Sequence, residues 1–219
     1  EGLQYDQLIL AGLGEGKKLD ALGLEEVGGA LLSELNRLGV KQASILCHNT
    51  RGCKLSEAEM AVHVATGVRL KSYRFDKYCT KEKDSDKPTL ESVTIAVNDT
   101  REATERFELQ EKILEGTFFT RDLVDEPGNI LEPESYAKLI EEKLSPLGVK
   151  VEVLGEKELA KLGCGALLGV GQGSVKESKM VIMKWEGGKK KDQPIAFVGK
   201  GVTSIRVGSA SSLPAAWKK

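Results

Sequence analysis

Residues 19–47 read LDALGLEEVGGALLSELNRLGVKQASILC, and residues 56–70 read SEAEMAVHVATGVRL. In the first stretch Leu22, Leu24, Val27, Ala30, Leu31, Leu35 and Leu38 recur at helical spacing. Gly39 follows where a helix ends on a left-handed residue. Residues 42–47 then read as a strand. In the second stretch Ser56 stands at an N-cap position and Glu59 completes a capping box. Met60, Val64, Ala65 and Val68 supply that helix with an apolar face. Residues 90–97, LESVTIAV, alternate as a strand does. Helix, strand, helix, strand is the rhythm of an α/β fold with a largely parallel or mixed sheet.

Working outward, residues 5–12 (YDQLILAG) read as a further strand that runs into Gly12, Gly14 and Gly16. Residues 80–88 (TKEKDSDKP) read as a solvated charged loop. Residues 101–119 form a long helical stretch, polar on one side. Pro127 and Pro133 break the chain, and helices are predicted over 134–144 and 156–162, the latter closed by Gly163. Strands are predicted over 149–154, 180–185 and 195–198, and 165–173 is apolar and glycine-rich. The change of texture near Arg121 predicts a first domain over 1–100, a linker helix over 101–120 and a second domain from 121 to 219.

The 219 residues are 40% hydrophobic and 30% charged, with a net charge of −1. This is the composition of a folded globular protein with enough chain for a sizeable core. The charge balance argues against a strongly basic nucleic-acid binder or an acidic tail protein. No run approaches the ~18 apolar residues of a membrane helix, and no leader is visible, although the sequence starts at Glu1. Cys47, Cys53, Cys79 and Cys164 are scattered and form no CxxC pair, which reads as reduced and cytosolic. Cys47, His48 and Cys53 together fit no common zinc spacing. They read instead as residues at a strand end and in a loop. His48 and His63 are the only histidines, with no HExxH around them and no GxSxG elsewhere.

Two stretches remain as site candidates. Gly12, Gly14 and Gly16 follow a predicted strand and precede a helix, so their backbone N–H groups could cradle a phosphate. They lack the GxGxxG spacing, and a flexible turn is the simpler reading. Lys200 follows the apolar run PIAFVGK, at the strand end where α/β folds place ligands. Beside a divalent cation such a lysine can serve as a ligand, whereas a solvated lysine after a strand is the commoner case.

The stretch RDLVDEPGNILEP from Arg121 to Pro133 resembles a motif of the leucyl aminopeptidase (cytosol aminopeptidase) family. So do KELAKLGCGALLGVGQGS, PIAFVGKGVT, and the run from Gly67 to Phe75 with Tyr78. These matches follow one another from about Tyr5 to Thr203. The resemblance implies a partial macro-like N-terminal α/β domain, a linker helix and the beginning of an α/β metallo-exopeptidase domain. It implies a cytoplasmic homohexamer that removes N-terminal residues from peptides through two divalent metals, manganese or zinc. Nucleic acid and membrane are not expected partners. Lys200 matches the family's metal-ligand lysine, and it alone carries over.

Where the family motif continues with an aspartate, Ile205 stands here, and the motif dissolves after Thr203. With suitable codons, a shifted frame of Ser204–Lys219 reads FDTGGISIKPAGRMEE, which resembles the family's continuation. The expectation is a chain truncated at both ends, with a frameshifted tail and a sheet edge left exposed. One lysine cannot hold two cations, so this chain alone is expected to bind no metal pair and to be inactive. The strands at 180–185 and 195–198 are expected to expose apolar faces that promote association. The alternative is a non-catalytic binding module whose macro-like cleft takes ADP-ribose-type ligands, with Gly12–Gly16 as the phosphate contact.

Overall fold

A helix pair and a strand pair organise the first half of the chain. The computed structural model describes residues 5–48, 50–189 and 191–202. The frameshift reading of 204–219 therefore lies outside the described residues. The chain divides into two compact units, Glu1–Val124 and Asp125–Lys219.

In the first unit, helix α1 spans Ala21–Arg37. Asp20 caps it, accepting from the Gly23 N–H at 2.9 Å. Leu24, Gly28, Leu32 and Leu35 lie buried at helical spacing. Gly39 then takes φ +70°, the left-handed turn expected there. Strand β1 is Gln42–Leu46. Helix α2, Glu57–Ser72, starts in the expected capping box. The Glu59 N–H donates to Ser56 Oγ, and the Ser56 N–H donates to Glu59 Oε2. Strand β2, Ser92–Ala96, runs parallel to β1 in the register Gln42↔Ser92 to Leu46↔Ala96. A parallel pair requires a crossover, and α2 supplies it.

The core is Leu24, Cys47, Met60, Ala61 and Val64, with Leu13, Ile45, Leu55, Ile95 and Val97 packed against it. Helices α1 and α2 meet through glycine. A Cβ on Gly67 would sit 1.9 Å from the Glu25 carbonyl oxygen, and one on Gly28 would sit 2.2 Å from that of Val64. The two backbones touch there.

Helix α3, Thr100–Asp125, is the long helical stretch read from the sequence. Leu114 is its one fully buried residue among those described. It is tied to the rest of the unit by an aromatic–arginine stack. Tyr73 and Phe118 lie 5.4 Å apart between ring centroids. Arg69 lies over Phe118 and Arg121 over Tyr73. Arg121 Nη1 also donates to the Leu70 carbonyl, and the Tyr73 hydroxyl donates to Asp122.

The second unit contains α4, Pro133–Leu144, and β3, Lys150–Leu154. Helices α5, Glu156–Lys161, and α6, Gly165–Gly171, follow, then β4, Met180–Lys184. Pro133 opens α4, where its missing N–H costs nothing. Gly163 at φ +73° closes the turn after α5. Strands β3 and β4 pair antiparallel, Lys150↔Lys184 to Leu154↔Met180. Among the described residues Ala137, Ile140 and Leu159 are the buried apolar groups of this unit.

Two predicted strands are corrected. Residues 5–12 and 195–198 carry no strand. A strand is a paired state, and neither stretch has a ladder partner among the described residues. Leu8 and Leu10 are exposed, and so are Ile195, Phe197 and Val198. Apolar alternation marks a segment ready to pair; it does not supply the pairing partner.

Candidate functional site

The carboxyl ends of β1 and β2 are where an α/β fold ordinarily offers a ligand crevice. Cys47 and His48 follow β1 there, and Val97 and Asn98 follow β2. Glu57, in the first turn of α2, reaches the end of β2. Its carboxylate accepts from the Asn98 backbone N–H at 2.7 Å and from Asn98 Nδ2 at 2.9 and 3.1 Å. Those bonds, with His48 nearby, hold the Glu57 carboxyl below the usual carboxylate range. Sequence reading missed this contact. Its partners are 41 residues apart, and no local periodicity encodes a contact at that separation.

Because Glu57 has a lowered pKa in the folded state, its contribution is present above the unfolded value and fades as pH falls through the folded one. We expect the melting temperature to decline below about pH 4.3. Glu57→Gln should decline less steeply over the same range. Parallel melting curves for the two proteins would show that this contact does not respond to pH.

Cys47 is buried in the core, and burial followed by the Glu57 charge pushes its thiol pKa up. A zinc ligand must be thiolate, so this environment opposes metal binding. Cys53 points its Sγ toward the Leu19 carbonyl at 3.9 Å. His63 pairs with Glu25 across α1 and α2, Nδ1 to Oε1 at 3.0 Å. Cys47, Cys53 and His63 thus serve the packing of this unit. In timed alkylation followed by peptide mapping, exposed Cys79 should label first and Cys47 last. Equal labelling rates would contradict the packing described here.

The glycine turn also differs from a phosphate cradle. Gly16–Lys18 is a three-residue 3₁₀ turn, and α1 begins only at Ala21. The turn therefore presents no α-helical N-terminus to an anion. Gly14 takes φ +70°, and a Cβ on Gly16 would lie 2.3 Å from the Arg51 carbonyl oxygen. Both glycines are required by the backbone path itself.

Lys200 lies exposed in the irregular stretch after β4. It makes no ion pair among the described residues. Among those residues no three His, Cys, Asp or Glu side chains come together to hold a metal ion. Two divalent cations need several carboxylates around them, so the described donor set does not fit a two-metal centre. No helix among the described residues is long and apolar enough to cross a membrane.

Comparison with known proteins bears on this stretch directly. Residues 1–82 match the model of the cytosol aminopeptidase family, N-terminal domain, and residues 118–204 match that of the catalytic domain. A probable cytosol aminopeptidase of Rickettsia rickettsii (strain Sheila Smith) is 45% identical over 195 residues. That alignment covers 89% of this chain and 39% of the relative. The homologous protein of Rickettsia bellii (strain RML369-C) matches to the same extent. The chain thus spans well under half the length of these curated relatives. Among solved structures, the bottromycin maturation enzyme BotP in complex with Mn superposes with TM-score 0.66 at 26% identity. It covers 80% of this chain and 35% of its own. A tomato leucine aminopeptidase variant gives TM-score 0.65 at 23% identity, covering 73% of this chain and 32% of its own, a likeness of fold.

Proposed function

The chain belongs to the cytosol aminopeptidase family, and on that premise we propose that the protein carrying this sequence is a metal-dependent aminopeptidase. It removes N-terminal amino acids from peptides. The observation that carries the reading is the succession of the two family matches, N-terminal domain over 1–82 and catalytic domain over 118–204. We assign Lys200, which lies within residues 118–204, as the metal-ligand lysine of this reading. The protein takes two divalent cations, manganese or zinc, with carboxylate ligands that the described residues do not supply. It works in the cytoplasm as a homohexamer on peptide substrates. Its parts are a macro-like domain over 1–100, a linker helix over 101–120 and the start of the catalytic domain from 121.

Residues 204–219 read out of frame in this proposal, and the catalytic-domain match does not extend past residue 204. The decisive experiment is the nucleotide sequence from codon 203 onward, read in all frames. A shifted frame that gives FDTGGISIKPAGRMEE and continues into the missing carboxylates supports the proposal. Its in-frame product should then release leucine from a chromogenic leucine anilide when manganese or zinc is added. If no frame restores those residues, the proposal is wrong for this gene.

A further inference from the structure

We draw no further inference here: the strongest candidate, the apolar groove between α2, β2 and the first half of α3, carries nothing because nothing among the described residues shows what covers it.

Discussion

Replacing Gly67 by alanine is expected to cost the first unit about 3 kcal/mol and to lower its melting temperature by about 10 °C. The added Cβ would lie 1.9 Å from the Glu25 carbonyl oxygen and 2.6 and 2.7 Å from the adjoining carbonyl carbon and Cα. All three atoms are backbone, so no side chain can rotate away. The helices must separate, and α2 carries most of the core of this unit, including Met60, Ala61 and Val64. Gly29 provides the internal control. A Cβ there meets nothing nearer than Lys71 Cβ at 3.6 Å, an ordinary contact. Gly29→Ala should therefore stabilise by about 0.5–1 kcal/mol, because a helix interior favours alanine over glycine. Thermal unfolding of the two variants beside the parent decides the matter. A Gly67→Ala protein that melts with the parent would show that the helices are not in backbone contact.

The second large effect concerns turnover. The purified 219-residue chain, supplied with manganese or zinc, is expected to release leucine from a leucine anilide no faster than the metal salt alone. That is about six or more orders of magnitude below an enzyme of ordinary proficiency. Holding two cations close together needs several anionic oxygens, because each cation must be desolvated and its neighbour's charge offset. Among the described residues no such group forms, and Lys200 is exposed without an ion pair. Metal-dependent release by the pure chain, lost in Lys200→Ala, would refute this expectation and place a working centre within these residues. Inactivity of this chain, set beside activity of an in-frame product, would locate the missing catalytic groups beyond Thr203.

The elements that could be read from the sequence are those whose cause is local. The α2 capping box needs only Ser56 and Glu59, three positions apart, and both of its bonds form. Gly39 and Gly163 turn where a left-handed residue ends a helix. Strands β1 to β4 appear within a residue or two of their apolar runs. The readings over 5–12 and 195–198 did not hold, because strand formation depends on a second segment. The same dependence hid the Glu57–Asn98 bridge and the stack of Arg69 and Arg121 on Tyr73 and Phe118. At the glycine turn over 12–16 composition left two readings, a turn first and a phosphate cradle second, and its path is set by the close approach of Arg51.

Sequence alone determined the α/β class, helices α1 to α5 and strands β1 to β4, and the family to which the chain belongs. Each rests on periodicity, caps or motifs carried within a few residues of one another. Tertiary structure decided why Gly67, one residue of a motif, must be glycine: α1 comes within contact of it, brought there by the turn at Gly39 and the pairing of β1 with β2. It also decided which apolar segments pair and which stay exposed. Contacts between residues tens of positions apart depend on how whole elements pack. Local patterns constrain each element and leave the packing open.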